Sequence, residues 1–140
     1  MRIVGYAQID DLQSLIQIDY QVIGNESRHD QIQEAIVEKR CLIVREGETT
    51  VGFLIFNNHF FGNTFVSLII VSPEDRRKGN ASLLLKYVEE ISPSDKIFSS
   101  TNRSNEQMQK TFQVNGYSQS GKIENLDPGD PEIVYYKKRR

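Results

Sequence analysis

Residues 64–91 read "TFVSLIIVSPEDRRKGNASLLLKYVEEI". A β-rich apolar run stops at Pro73, three cations (Arg76, Arg77, Lys78) lead into Gly79, and small residues open a segment with Ala81, Leu84, Leu85, Val88 and Ile91 at helical spacing. A strand therefore hands over to a helix through a charged, glycine-containing loop. The apolar end of the run predicts a central strand covered on both faces. A chain built around such a unit must be α/β, because the helix needs a sheet to pack on.

The flanking segments complete that sheet. "RIVGY" (2–6) predicts a first strand, and "IDDLQSLIQIDYQVIG" a helix with Leu12, Leu15 and Ile16 on one face, Asp10 as N-cap, Gln13 at the capping-box position, and Gly24 with Asn25 ending it. A second helix is expected over about Asp30 to Lys39. "CLIVRE" (41–46) and "TTVGFLIF" (49–56), separated by Gly47 and Glu48, predict a hairpin, and "NNHFFGN" joins it to the run at 64–71. After the helix at 79–91 come "KIFSS" as strand, "SNEQMQKTFQVNG" as helix, and "YSQSGKIE" and "EIVYYKK" as strands. The expected order is β-α-α-β-β-β-α-β-α-β-β in a single domain over 1–140, with one strand–helix–strand crossover.

Composition narrows the function. With 38% hydrophobic and 26% charged residues and a net charge of −2, the chain has no global pull toward nucleic acid or an anionic membrane. One cysteine, Cys41, leaves neither a disulfide framework nor a cysteine zinc cluster, and it reads as a buried core thiol. No signal-peptide h-region and no run of membrane-spanning length are found, which predicts a cytoplasmic protein. His29 and His59 are placed in loops without partner spacing for a metal or triad, "HFF" (59–61) reads as packing, and "KKRR" (137–140) as a solubilising end.

The charged loop is suited to an anion. A helix start exposes unpaired N–H groups and the positive end of the macrodipole. Glycine lets a ligand approach the main chain, and arginine can grip two phosphate oxygens at once. The phosphate loop Gly-x4-Gly-Lys-Ser/Thr and the dinucleotide pattern Gly-x-Gly-x-x-Gly are both absent from the sequence. What is present is Val71-x-Pro73-x-x-Arg76-x-x-Gly79-x-Ala81. This resembles the coenzyme A-binding motif of the GNAT acyltransferase superfamily, Arg/Gln-x-x-Gly-x-Gly/Ala. "NEQMQKTFQVNGY" (105–117) resembles that family's second helix motif, Asn-x-x-Ala-x-x-x-Tyr-x-x-x-Gly-Phe, and "GDPEIVYYKK" its last strand. The element order resembles the family across nearly the whole chain.

The resemblance implies a mixed, mostly antiparallel sheet with a splayed parallel pair at the cofactor site, and acetyl-CoA as co-substrate with no metal. It implies that Ile69 and Val71 offer backbone groups to the pantetheine arm, and that the loop of Arg76, Arg77, Lys78, Gly79, Asn80, Ala81 and Ser82 holds the pyrophosphate. Asn105 would contact the arm from the other side. The implied chemistry is direct attack of an amine on the thioester. The family's general acid is the tyrosine of the second motif, and here that position is Phe112, which can pack beside the sulfur but gives no proton. A free thiol has a pKa of about 8.5, so the thiolate is a tolerable leaving group and the loss slows the reaction more than it abolishes it. Tyr117, Tyr135, Tyr136 or water is then left to supply the proton, with Tyr117 falling where the motif has a packed phenylalanine. The base is also open: some relatives carry a glutamate where this chain has Ser67, and Asp19 and Glu26 lie where such proteins receive the acceptor.

The leading expectation is an N-acetyltransferase acting on a small amine or a protein amino group, with Glu26 and Tyr135 as candidate catalytic residues. The alternative is a catalytically weak coenzyme A-binding or sensing module, favoured by Phe112. A nucleic-acid-binding role rests on the tail alone and is disfavoured, and no membrane partner is expected. The β-rich C-terminal strand suits an edge-pairing or strand-exchanging homodimer.

Overall fold

A computed structural model of the protein describes residues 1–139. Its elements are β1 (Arg2–Tyr6), α1 (Leu12–Ile23), α2 (His29–Val37), β2 (Cys41–Glu46), β3 (Thr49–Phe60), β4 (Asn63–Val71), α3 (Asn80–Ile91), β5 (Lys96–Asn102), α4 (Glu106–Val114), β6 (Ser118–Ile123) and β7 (Glu132–Lys138). The strands follow the order β1-β2-β3-β4-β5-β7-β6 in a seven-stranded mixed sheet. This is the α/β class and the element order that the sequence predicts. By internal contacts the chain falls into two compact units, residues 1–56 with 68–90, and residues 57–67 with the chain from Ile91 onward.

In the first unit the core follows directly from the two periodicities. Leu15, Ile16 and Ile18 of α1 and Ile32, Ala35 and Ile36 of α2 meet alternate residues of the strands, Cys41 and Ile43 of β2, Phe53 and Ile55 of β3, and Ile70 of β4. The intervening Leu42, Val44 and Leu54 are also buried, so β2 and β3 are covered on both faces. β4 is not: Ile70 is buried, whereas Leu68, Ile69 and Val71 are half-buried and Ser67 is exposed. The expectation of a fully covered β4 is thus corrected, and surface along Ile69 and Val71 remains open.

The other differences are local. A 3-10 turn, Ile9–Asp11, precedes α1, and Asp10 is not its N-cap. Instead the Asp11 carboxylate accepts from the Gln8 N–H at 2.7 Å and from Arg45 Nη2 at 2.6 Å, fixing the turn to β2. Gly24 ends α1 in the left-handed conformation, as expected, with its N–H donating to the Tyr20 carbonyl at 2.8 Å. His29 is the first residue of α2 rather than a loop residue, and its Nδ1 lies 3.2 Å from Asp30 Oδ1. β3 runs on through "NNHF", so His59 lies on a strand and the turn is confined to Phe61 and Gly62.

In the second unit β5 pairs with β7 antiparallel along its whole length, and β6 adds to β7 with an irregularity between Gln119 and Gly121. β4 and β5 form a parallel pair, with Thr64, Phe65 and Val66 registered against Ile97, Phe98 and Ser99. Phe60 stacks on Phe65 at 4.7 Å and packs against Phe98 at 5.1 Å, while Phe61 is 90% exposed. The basic tail is more than a solubilising end. The Lys137 ammonium sits 5.7 Å over the Tyr117 ring. The Arg139 N–H donates to the Asp95 carbonyl, and its guanidinium donates to the carbonyls of Ser92 and Ser94. Arg140 lies outside the described residues.

Gly52 lets β3 and β4 approach closely in the first unit. A Cβ there would stand 3.0 Å from the Ile70 carbonyl oxygen, 3.3 Å from Val44 Cγ1 and 3.4 Å from Val71 Cγ2. Neither strand can retreat without disturbing a covered core, so crowding of this kind costs about 1–3 kcal/mol. Gly52→Ala is expected to lower the unfolding free energy by that amount, read from the midpoint of a urea transition.

Candidate functional site

The loop between β4 and α3 is held by a buried amide. Asn80, the first residue of α3, is 2% exposed. Its Nδ2 donates to the Asp75 carbonyl at 2.9 Å, and its Oδ1 accepts from Arg2 Nη1 at 3.2 Å. The same Arg2 Nη1 donates to the Lys78 carbonyl. At the strand end, the buried Ser72 donates its N–H to the Val51 carbonyl at 2.8 Å and accepts from the Asp75 N–H at 2.9 Å, closing a short 3-10 turn over Pro73–Asp75. Arg2 lies far away in sequence, and no local pattern marked it.

Two residues of the loop are left-handed, Gly79 with φ +82° and Arg77 with φ +63°. Glycine takes this conformation freely, but for arginine it costs about 1–2 kcal/mol. The helical ladder of α3 begins where the Leu83 N–H donates to the Gly79 carbonyl at 3.0 Å. The N–H groups of Asn80 and Ala81 therefore fall in the part of the helix with no intrahelical acceptor. Lys78 is paired with Asp75 at 3.2 Å, so of the three predicted cations it is partly neutralised. Arg76 and Arg77 are exposed and form no ion pair among the described residues. An exposed arginine pair beside a helix start can receive a phosphate or pyrophosphate.

Asn105, expected to face the pantetheine arm, caps α4: its Oδ1 accepts from the Met108 N–H at 3.1 Å. Phe112 is 1% exposed, stacked on Tyr135 at 4.9 Å and packed on Tyr117 at 5.6 Å, which leaves little of its ring accessible. Tyr135 is fully buried, and its hydroxyl donates to Gln109 Oε1 at 2.7 Å. Tyr117 is buried too, in keeping with a packing role. These residues form an aromatic cluster under α4.

Asp19, expected on the acceptor side, is a buried acid, 2% exposed. Arg28 grips it from two directions, Nε donating to Oδ2 at 3.2 Å and Nη2 in ion-pair contact with Oδ1 at 3.0 Å. Glu26, in the intervening loop, is exposed, and its carbonyl accepts from the His29 N–H at 3.0 Å. Burial pushes the Cys41 thiol up to about 12, which removes it as a nucleophile near neutral pH. No metal-binding group of His, Cys, Asp and Glu occurs among the described residues, and no helix there is long and apolar enough to cross a membrane.

The sequence matches the model of the acetyltransferase (GNAT) family over residues 9–117. A GNAT-family acetyltransferase from Bacillus cereus ATCC 10987 is 56% identical, with a TM-score of 0.96 over 99% of this chain and 97% of that one. The ribosomal-protein-S18-alanine N-acetyltransferase of Escherichia coli shares the fold at 14% identity and a TM-score of 0.84, over 99% and 94% of the two chains. So does a Salmonella typhimurium protein solved with its cofactor acetyl-CoA, at 10% identity and a TM-score of 0.80, with the same two coverages. A search of curated proteins finds no match. The chain belongs to the GNAT acetyltransferase family, and it is an acyltransferase.

Because the Tyr135 hydroxyl is buried and already donates to Gln109, it is poorly placed to give a proton to a leaving thiolate. Tyr135→Phe is expected to cost about 1 kcal/mol of stability through the lost hydrogen bond. It should leave the rate of thiol release from acetyl-CoA within about threefold of the unmodified protein, whereas removal of a true general acid costs on the order of a hundredfold.

Proposed function

We propose that this protein is a single-domain N-acetyltransferase that moves the acetyl group of acetyl-CoA onto an amine, a small molecule or a protein amino group. The observation that carries the reading is the loop itself. Arg77 and Gly79 are left-handed, Asn80 is locked at the helix start, and two arginines with no ion pair among the described residues (Arg76 Nε donates to the Val71 carbonyl at 3.4 Å) stand beside N–H groups that α3 does not use. In this reading Arg76, Arg77, Lys78, Gly79, Asn80, Ala81 and Ser82 hold the pyrophosphate. The half-exposed Lys78 contributes after giving up its partner Asp75, an ion pair near the surface of the kind worth at most about 1 kcal/mol. Ile69 and Val71, half-buried on β4, offer their backbone groups to the pantetheine arm.

The reaction needs no covalent enzyme intermediate. The amine lone pair attacks the thioester carbonyl carbon, and the carbonyl electrons move to oxygen, where a backbone N–H stabilises them. The C–S bond then breaks as the carbonyl re-forms. The nitrogen loses a proton and the thiolate takes one, giving an amide and coenzyme A. Water is the proton donor this reading favours, since Phe112 has no proton to give and Tyr135 is bonded to Gln109. Glu26 is the acceptor-side carboxylate left in solvent, able to attract an ammonium and to take its proton through water.

The phenylalanine at the motif's acid position favours a second reading, a slow enzyme that chiefly binds or senses coenzyme A. The two readings share the cofactor and differ in turnover, so a screen of amines and peptide N-termini for free thiol separates them.

Isothermal titration with acetyl-CoA tests the shared part. Micromolar binding is expected, with unfolding free energy raised by about 2.7 kcal/mol when ligand stands at 100 times Kd. Gly79→Trp, and separately the double change Arg76→Ala with Arg77→Ala, should abolish or sharply weaken it while the far-ultraviolet spectrum is unchanged. No heat and no thermal stabilisation in the unmodified protein would overturn the proposal.

A further inference from the structure

Arg2 stands at the start of β1, outside every motif that marks the cofactor loop. Its cross-strand partner is Glu46, yet its guanidinium forms no ion pair among the described residues. It reaches the β4–α3 loop instead and donates from Nη1 to two acceptors there, the Lys78 carbonyl and Asn80 Oδ1. Gly79 lies directly beside it, with Nη1 3.9 Å from where a Cβ would be.

We infer that Arg2 is a positioning residue for the anion loop, acting through the peptide between Lys78 and Gly79. The inference rests on the coenzyme A reading above. That peptide is trans, as are all the described peptide bonds, so its C=O and N–H point in opposite directions. Holding the carbonyl on the guanidinium therefore turns the Gly79 N–H away from Arg2, as a donor available to the loop's open side. It also removes a hazard, because a carbonyl swung the other way would face the phosphate with its own negative end.

The bond polarises as well as orients. A cation on the carbonyl oxygen withdraws electron density through the amide and makes the N–H on its far side a stronger donor. Asn80 extends the arrangement: with Oδ1 held by Arg2 and Nδ2 donating to the Asp75 carbonyl, one side chain ties β1 to both ends of the loop. This loop includes a left-handed arginine, Arg77, a conformation that local sequence does not favour and that outside contacts must hold. Arg2 supplies such a contact from a strand whose own ladder is secured by β2.

The test is Arg2→Met, which keeps an apolar stem and removes the charge and every donor. The expected result is an acetyl-CoA Kd raised about tenfold, equivalent to about 1.4 kcal/mol. The Gly79 amide proton of the unliganded protein should move upfield, while the amides of Ile69 and Val71 stay in place. A Kd raised less than threefold would overturn the inference. So would a larger loss with the Gly79 amide unmoved, since that is what a distant charge alone would give. Failure of the unmodified protein to bind acetyl-CoA would instead sink the underlying cofactor reading. If Arg2→Met unfolds, Arg2→Lys keeps the charge without the planar fork and is judged by the same two quantities.

Discussion

The two hydrogen bonds of the Asn80 side chain set the shape of the loop on which any anion binding depends. Buried amides must be satisfied, and this one is satisfied at both ends, by a backbone carbonyl earlier in the loop and by a guanidinium from β1. An aspartate here would lose the donor, and an alanine would leave the Asp75 carbonyl without its partner. The first turn of α3 is therefore fixed before any ligand arrives. Binding to a preformed loop avoids the cost of ordering it, which is the usual route to useful affinity from a small number of contacts.

The sheet is uneven in a way that matters for the same site. β2 and β3 are covered on both faces, but β4 keeps Leu68, Ile69 and Val71 only half-buried even though the run is as apolar as its neighbours. Apolar side chains left partly uncovered next to a cationic loop are what a ligand with a phosphate end and a slender, largely apolar arm would need. Gly52 belongs to this arrangement, because the absence of its side chain lets β3 lie close against the Ile70 carbonyl and the Val71 side chain.

Much of this was readable from the chain. Most helices and strands were visible because their apolar residues repeat at intervals of two or near three and a half, and Gly24, Gly47 and Gly62 punctuate them, whereas β6, with its residues all exposed, carries no such repeat. The charged loop between β4 and α3 was visible because its residues are contiguous. What escaped was long-range or geometric. Nothing near position 2 announces a contact with Lys78, and nothing in "QIDYQ" tells that Asp19 is buried and gripped by Arg28. The length of β3 was hidden because "NNHF" is polar enough to read as a turn, although strand pairing can satisfy its backbone. Arg139 looked like a loose cation because its acceptors are carbonyls 45 and 47 residues earlier.

Burial of Asp19 changes the electrostatics at the end of α1. A carboxylate gripped by a guanidinium presents no net charge to an incoming cation, and separating the two would strand a buried charge at a cost of several kcal/mol. Its role is therefore to fix the segment between α1 and α2 to the first helix. That pairing leaves the neighbouring Glu26 carboxylate in solvent, at the exposed tip of a segment whose base is clamped. The attraction available there is long-ranged, weak and screened by salt, so it can raise the local concentration of an ammonium without choosing its shape. If the acceptor enters there, as proposed, discrimination must come from the side chains around that tip, where Tyr20 and Val22 are exposed on α1. On the proposed reading, a chain with this distribution holds the β4–α3 loop firmly through Asn80 and leaves acceptor choice to exposed contacts that a few substitutions could rewrite.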